Sequence, residues 1–445
     1  MKSHAVTAFL SDYGMVFVLL ALCAFFSVAT WQDQYPTGAT AAKQVAAEIR
    51  QQFGKGARVL IAARAHPDDT LFAETLKKEI ETFGGNVVLA QGEPSDAREV
   101  MRKTALGGRK LDVIAGTQAT AGWLVFANVG KDFASLGTPR VIGPHSYKWP
   151  NFLKAENLLN IANQIAVIAI VAVGMTFVIV AGGIDLSVGS LIALSAVLAS
   201  LIIRDFAGGV AATAGGLTGA CFGAILICGL VGAASGGVIT LCGIPPFIVT
   251  LAMMLVSSGL AYILAKGQSI YQVPDSFVWL GRGADLFGIP NAVVLLVILY
   301  ALAHVLMSRM KLGRYIYAVG GNAEAAHLSG VPVKRVVLFA YIASGMLAGL
   351  GGVIMASQLK SGSPTYGGMY ELYVIAAVVV GGTSLSGGEG KMFGTLIGAF
   401  TIAVIQNGMN LCNVESYTQK AVLGMVILVA VLLDKARHRF WTGGV

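Results

Sequence analysis

The sequence predicts an all-α polytopic membrane protein of about ten transmembrane helices, with a small inserted α/β domain. Of its 445 residues, 56% are hydrophobic and only 12% are charged, whereas soluble domains contain about 25% charged residues. The charges are also unevenly placed, because residues 32–150 hold 15 Lys/Arg and 12 Asp/Glu, half of the chain's total. A strongly apolar body is therefore joined to one segment with the composition of a globular domain.

The first apolar run, Gly14–Trp31, has 18 residues, which is just long enough to cross a bilayer. Lys2 precedes it, and Ser27-Val28-Ala29 is weakly similar to a signal-peptidase site, so a cleaved signal peptide is an alternative. We favour a retained helix, forming domain 1–31, because the positive region is thin and Asp12 interrupts it.

Residues 32–150 alternate between strand and helix patterns. Short apolar runs predict strands at Arg58–Ala63, Asn86–Ala90 and Leu111–Ala115. Helical spacing predicts helices at Asp68–Phe83 and Ser95–Leu106. This alternation predicts a small parallel sheet with helices packed on it.

The remaining chain, 151–435, is a predicted transmembrane domain, followed by a short cytoplasmic tail, 436–445. Its apolar segments of roughly 20 residues are long enough to span. They are Leu159–Gly182, Leu186–Ile203, Gly209–Ala233, Phe247–Ala265, Ala292–Met307, Val336–Ser357, Leu372–Gly387, Phe393–Leu411 and Thr418–Leu433.

The distribution of Lys and Arg orients these spans. With the N-terminus inside, the short inside segments carry ten Lys/Arg and the short outside segments carry six. Since cytoplasmic loops are enriched in Lys and Arg, both termini are predicted in the cytoplasm and the 32–150 insert on the outer side.

Residues 182–187 interrupt two apolar runs with a glycine pair and the carboxylate of Asp185. A carboxylate within a bilayer costs free energy unless it is paired or hydrated. The simpler interpretation is that Asp185 caps the next helix by accepting its free N–H groups. The alternative is a position on a transport path.

The longest predicted inside loop, Arg309–Arg335, contains a candidate short helix. Asn322 can act as its N-cap and Gly330 can end it. Ala325, Ala326 and Leu328 would give this helix a small apolar surface suited to another protein's groove. A plain connector between two spans is an equally good interpretation.

Several other functions are excluded by missing patterns. Val380–Gly390 is rich in glycine, but no GxxxxGK[ST] motif occurs anywhere, so the chain is not itself a P-loop ATPase. The net charge of +8 includes no long basic run, so we expect no nucleic-acid partner. The five cysteines form no CxxC or Cys/His cluster, so no metal site is expected.

His66-Pro67-Asp68-Asp69 resembles the zinc-binding start of the LmbE-like deacetylases. Those enzymes have a Glu after the Asp pair, where this chain has Thr70, and a further His motif, for which it offers only His145. We interpret the stretch as a helix start, since proline and acidic residues are favoured there.

Together, the membrane stretches resemble the permease subunits of bacterial ABC importers for monosaccharides such as ribose, xylose and galactose. The resemblance covers about Asn151–Leu433 and the first span. Its motifs are Ala172–Ile179 running into Gly182–Ser187, Ile244–Leu251, Gly321–Gly330, and Glu371 leading into Gly381–Gly388.

The resemblance implies a multi-pass permease of the inner membrane, not an enzyme and without a cofactor, paired as a homodimer with the substrate path between the subunits. It also implies an ABC ATPase, a periplasmic sugar-binding protein and a periplasmic position for the insert. The loop that the ATPase would grip comprises Asn322, Glu324, Ala325, Ala326, His327, Leu328, Ser329 and Gly330. The candidates for the translocation path or gate are Asp185, Ser187, Phe247, Thr250, Glu371, Thr383 and Ser384.

This sequence departs from that family at Tyr373, where Asp is usual, and at Ser258, where Arg is common. The insert, which common members lack, looks like part of one lobe of a type I periplasmic binding protein and would be a docking or accessory domain. An ion-coupled secondary transporter of a small polar solute is the alternative function. It would require ionisable residues in mid-span, and few exist.

Overall fold

The computed structural model describes the backbone of residues 2–442 and the side chains of residues 14–432. In chain order, the helices of this described part are α1 (Lys2–Ala29), α2 (Gly38–Phe53), α3 (Pro67–Thr82), α4 (Pro94–Leu106), α5 (Gln118–Ala121), α6 (Val129–Asp132), α7 (Ala155–Val180), α8 (Val188–Asp205), α9 (Ala214–Cys242), α10 (Pro246–Ala265), α11 (Trp279–Arg282), α12 (Asn291–Arg309), α13 (Lys311–Gly321), α14 (Ala323–Leu328), α15 (Val333–Leu359), α16 (Tyr370–Val380), α17 (Met392–Leu411) and α18 (Ser416–Thr442). The strands are β1 (Trp31–Gln34), β2 (Arg58–Ala63), β3 (Asn86–Gln91), β4 (Val113–Gly116), β5 (Arg140–Ile142) and β6 (Tyr147–Pro150).

These elements divide between two compact units. Among the described residues, those up to Thr30 and those from Asn151 onward form a helical bundle, and Trp31–Pro150 form the second unit. The predicted insert, 32–150, begins one residue after the start of this second unit.

Within the described residues, seven helices are long and apolar enough to cross a membrane, namely α7, α8, α9, α10, α12, α15 and α17. Three shorter apolar stretches, Gly14–Ala29, Tyr370–Val380 and Ser416–Leu432, accompany them. Seven and three make ten, in agreement with the predicted polytopic helical body. α18 continues through most of the predicted tail 436–445, of which 443–445 lie outside the described residues.

The bundle is packed through small residues on α15. A Cβ atom added to Gly352 would overlap the carbonyl of Ile192 on α8, and one added to Gly345 would overlap the carbonyl of Cys228 on α9. Lipid supplies no hydrophobic force between helices, so close backbone approach at small residues contributes much of the packing energy. The glycines of α15 thus allow it to contact α7, α8 and α9.

The span predicted at Leu372–Gly387 is wrong in length. It is the 11-residue helix α16, which ends at Val380. At 1.5 Å per residue this helix is about half as long as a bilayer core is thick. The glycines that follow Val380 form a loop instead of continuing the helix.

Residues 360–369, before α16, run back along α8 without helical structure. Gly362 lies against Ser200, near the end of α8, and Gly367 lies against Gly189, in its first turn. This distance of 11 residues along α8 corresponds to about 16 Å. The irregular segment therefore covers the part of the bundle's height that α16 does not.

Residues 31–150 form a layered α/β structure. Its parallel sheet has the strand order β3-β2-β4-β5, with α2 and α3 on one face and α4 on the other. Alternate residues of β2 belong to the two apolar cores, Val59 and Ile61 to one and Leu60 and Ala62 to the other. The strands and helices predicted here are confirmed, although β4 begins two residues later than predicted.

The two ends of the 31–150 unit are adjacent, because β1 and β6 pair as an antiparallel ribbon with Trp31 opposite Pro150. The corresponding residues of the bundle are adjacent too. The Asn151 N–H donates to the Thr30 carbonyl at 2.9 Å, and the Phe152 N–H donates to the Thr30 hydroxyl at 3.0 Å. The chain therefore leaves and re-enters the bundle at neighbouring points.

Candidate functional site

The turn between α7 and α8 is built around the buried carboxylate of Asp185, which is 1% exposed. The N–H and the hydroxyl of Ser187 donate to its Oδ1 at 3.0 and 2.6 Å, and the Ser344 hydroxyl donates to Oδ2 at 2.7 Å. The predicted cap is therefore wrong in detail. Asp185 bonds to the residue that precedes α8, not to N–H groups within the helix, and it ties the turn to α15.

Thr250 and Phe247, both on α10, occupy different surroundings. Thr250 is fully buried, and its hydroxyl lies 3.0 Å from the Pro246 carbonyl and 3.2 Å from the Ile184 carbonyl of the same turn. Phe247 is 53% exposed. The structure thus brings Asp185, Ser187 and Thr250 together, whereas Phe247 lies on the outer surface of the bundle.

A junction of glycine backbones connects this turn to two other segments. The Gly388 N–H donates to the Val180 carbonyl at 2.9 Å, and Gly320, at the end of α13, contacts the same carbonyl so closely that a Cβ atom would overlap it. Gly387 packs against Gly182 and Gly320. We call Gly182, Gly320, Gly387 and Gly388 the glycine junction.

Thr383 and Ser384 shape the loop that enters the junction. Both are buried, at 0% and 2% exposure. The N–H of Ser384 donates to the Glu389 carbonyl at 3.1 Å, and its hydroxyl accepts from the Ser386 N–H at 3.3 Å. The Thr383 hydroxyl makes no hydrogen bond within the described residues.

Glu371 lies in the first turn of α16, at the point where the irregular segment 360–369 ends. Its carboxylate occupies the space beside Gly189 in the first turn of α8, where a Cβ atom would overlap it. Glu371 is thus remote in sequence from α8 but adjacent to its start.

The predicted short helix is α14. The side-chain oxygen of Asn322 accepts from the Ala325 N–H at 2.9 Å, and Gly330 has a positive φ of 83°, so both ends form as predicted. The apolar surface differs from the prediction, because Ala326 is buried at 6% exposure while Leu328 is 81% exposed. The other predicted loop residues, Glu324, His327 and Ser329 among them, are exposed.

Sequence reasoning missed the partners that assemble these segments. Ser344 is 159 positions from Asp185, and Tyr317 reaches the Gly390 carbonyl through its hydroxyl at 2.6 Å. Neither stands in a recognisable motif, and the only sequence signal for Gly320 is the glycine pair that it forms with Gly321.

The stretch around His66 is a helix start, as predicted. Pro67 opens α3, and the carboxylate of Asp69 accepts from the Arg64 side chain at 2.8 Å. Among the described residues, no group of three or more His, Cys, Asp or Glu side chains is placed to hold a metal ion.

Comparison with known proteins identifies the bundle. The family described as branched-chain amino acid transport system / permease component matches residues 157–431. The chain belongs to this permease family. It is therefore a multi-pass protein of the inner membrane and a transport subunit, not an enzyme. The matched range begins after the 31–150 unit.

Individual relatives are similar to this chain over about two thirds of its length. The ribose import permease protein RbsC of Escherichia coli (strain K12) is 42% identical over 294 residues, 65% of this chain and 88% of the relative. RbsC of Bacillus subtilis (strain 168) is 44% identical over 290 residues, covering 65% and 87%. The D-allose transport system permease protein AlsC of Escherichia coli (strain K12) is 37% identical over 285 residues, covering 64% and 85%. No solved structure matches the chain significantly.

Proposed function

We propose that the chain is the permease subunit of an ATP-driven monosaccharide importer and forms the path through which the sugar crosses the membrane. The observation that carries the proposal is the exposed helix α14, which begins three residues after Gly320 of the glycine junction. Relatives named as ribose, allose and L-arabinose permeases support the choice of cargo.

The contacts suggest how motion would pass from α14 to the spans. An ATPase that binds Leu328 and Glu324 would displace α14, and with it the end of α13. Gly320 of α13 touches the end of α7, and Gly387 touches both Gly320 and Gly182. A shift at α14 would therefore reach α7 and the loop 381–391 together, which is the movement needed to alternate between outward-open and inward-open states.

The partners in this proposal are a cytoplasmic ABC ATPase, a periplasmic sugar-binding protein and a second copy of the permease in the bilayer. The periplasmic side is assigned to residues 31–150 by the Lys/Arg bias. Contacts within the bundle support the order of the spans, because the turn 181–187, the end of α13 and the loop 381–391 meet on one side of the bundle. The turn, the end of α13 and the last residues of the loop, 388–391, were all predicted on the inner side.

The test is sugar uptake by proteoliposomes that contain the complex of permease and ATPase, with the binding protein outside. We expect D-ribose uptake that requires ATP and survives collapse of ion gradients. Glu324→Ala and Leu328→Ala should reduce uptake about tenfold while ATP hydrolysis by the ATPase continues, because the contact that couples them is weakened.

Leu286→Ala is the matched control, since Leu286 is an exposed leucine in the loop between α11 and α12. Uptake at the wild-type rate in both α14 variants would contradict the docking role. Uptake that ignores ATP and follows an ion gradient would instead support a secondary transporter.

A further inference from the structure

The bundle contains a cavity of about 240 Å³ between α7, α15, α16 and α17. Its polar lining consists of Gln164, Gln358, Gln406 and Tyr370, and its apolar lining includes Ile165 and Met355. Single glutamines in otherwise apolar helices carry no motif, so none of these residues was predicted. The volume is below the roughly 300–1,000 Å³ of pockets for drug-sized ligands and fits a smaller solute.

The chain beside the cavity departs from regular helix. Tyr370 begins α16, directly after the irregular segment 360–369. Non-helical backbone at membrane depth is tolerated only where it is buried in protein or lines a water-filled space. Met369, the last residue of that segment, has a positive φ of 66°, which is unfavourable for a side chain of this size.

The amide groups in the cavity have hydrogen-bonding capacity to spare. Gln358 donates to the Asn163 carbonyl at 2.9 Å. In the part of the chain whose side chains are described, the side-chain amides of Gln164 and Gln406 make no hydrogen bond. Each amide offers two donors and an acceptor oxygen, which complements a sugar hydroxyl that both donates and accepts.

The cavity lining, all of it among the described residues, is uncharged. The nearby carboxylate of Glu371 is turned to Gly189 instead. A neutral solute whose hydroxyl groups form hydrogen bonds in such a site loses less than an amino acid, whose ammonium and carboxylate would be desolvated without counter-charges. The lining therefore discriminates against the branched-chain amino acids after which the family is described.

We propose that this cavity is a contact site for a neutral monosaccharide within the permease. Gln164 and Gln406 exchange hydrogen bonds with its hydroxyl groups, and Tyr370, Ile165 and Met355 contact its apolar C–H faces. This inference rests on the proposed function and adds to it the residues that touch the cargo and the reason why charged solutes are rejected.

The experiment compares Gln164→Leu and Gln406→Leu with wild type in the reconstituted complex of permease, ATPase and binding protein. Losing one or two hydrogen bonds to the sugar should lower the maximal rate of D-ribose uptake about five- to tenfold. The ratio of D-ribose to D-allose uptake should change as well, which a purely structural effect would not cause. Gln406→Asn should restore part of the rate.

Gln268→Leu is the matched control, because Gln268 is an exposed glutamine that does not line the cavity. Gln164 is itself exposed, so its variant should assemble normally even if Gln406→Leu does not. Wild-type rates and an unchanged sugar ratio in Gln164→Leu would overturn the inference and leave the proposed function intact. Uptake of L-leucine and of neither sugar by the wild-type complex would overturn both.

Discussion

The contacts that stabilise the helical bundle internally differ from those that stabilise the 31–150 unit. In the bundle, glycine backbones touch and buried hydroxyls bond to carbonyls of neighbouring helices, as Ser195 does to Gly349 at 2.6 Å and Tyr300 to Ala169 at 2.9 Å. In the 31–150 unit, apolar side chains fill both faces of a sheet. The difference follows from the solvent, because water drives apolar burial whereas lipid does not.

This difference predicts that the two units are destabilised by opposite kinds of substitution. Where backbones already touch, an added methyl group has no room, so the bundle should suffer most from enlarged residues. Where a core excludes water, the largest loss comes from removing side-chain atoms.

The largest expected effect is that of Gly320→Ala at the glycine junction. Its Cβ atom would overlap the carbonyl of Val180 and crowd the N–H of Gly388, and both are backbone groups that cannot rotate away. We expect sugar uptake by the reconstituted complex to fall about fivefold to a hundredfold, because overpacking costs ~1–3 kcal/mol.

The neighbouring glycine provides the control. Gly321→Ala meets no atom within 4 Å, so its uptake should stay within about twofold of wild type. Equal behaviour of the two variants would mean that backbone contact at the junction does not matter.

The next effect is expected from Leu76→Ala in the 31–150 unit, and it falls on stability instead of transport. Leu76 is fully buried on α3, and its truncation should lower the free energy of opening of this unit by ~2–5 kcal/mol. Hydrogen exchange of β2 and β4 in the full-length protein measures the change. Leu71→Ala, on the same helix but 49% exposed, should cost less than about 1 kcal/mol. Similar losses in both variants would refute the assignment of the core.

The smallest effect is a pH dependence at the ion pair of Arg58 and Asp112. The guanidinium donates twice, from Nη2 to Oδ1 at 2.5 Å and from Nε to Oδ2 at 2.9 Å, and these hydrogen bonds lower the pKa of Asp112. The native carboxylate thus binds protons less readily than the unfolded one. Its stabilisation is fully present above pH ~4 and disappears as pH falls through the lower native pKa.

Asp112→Asn should therefore reduce the protection of β2 and β4 at pH 7, and its difference from wild type should shrink below pH ~4. Hydrogen exchange of β2 and β4, corrected for the intrinsic exchange rate at each pH, measures this difference in protection. The effect is modest because both side chains are partly exposed. Glu81→Gln, in an exposed pair with Lys77 at 4.0 Å, is the control and should show a weaker effect. A pH-independent difference would argue against the ion pair.

The sequence predicted those features that depend on neighbouring residues. The long spans follow from continuous apolar runs, and β2 follows from the apolar run Val59–Ala63, whose five residues are buried by helices on both faces. The ends of α14 follow from the local chemistry of Asn322 and Gly330. Each of these elements is encoded by residues that are contiguous in the sequence, which is why the pattern alone was sufficient.

Features that depend on distant residues were not predictable. The half-length helix α16 was read as a full span because apolar residues and glycines continue past Val380 without a charge. Segment 360–369 has no periodicity, and only its contacts along α8 reveal its course. The Asp185–Ser344 hydrogen bond and the glutamines of the cavity likewise arise from residues brought together by packing.

The hydrogen bond from Asn151 to Thr30 has a consequence for the origin of this architecture. Because the bundle closes on itself at this point, a tight hairpin could replace everything between these two residues without moving a helix. An ancestral transporter could thus acquire such a cassette through one splice in a surface loop, and lose it again, while its machinery for moving cargo stayed intact.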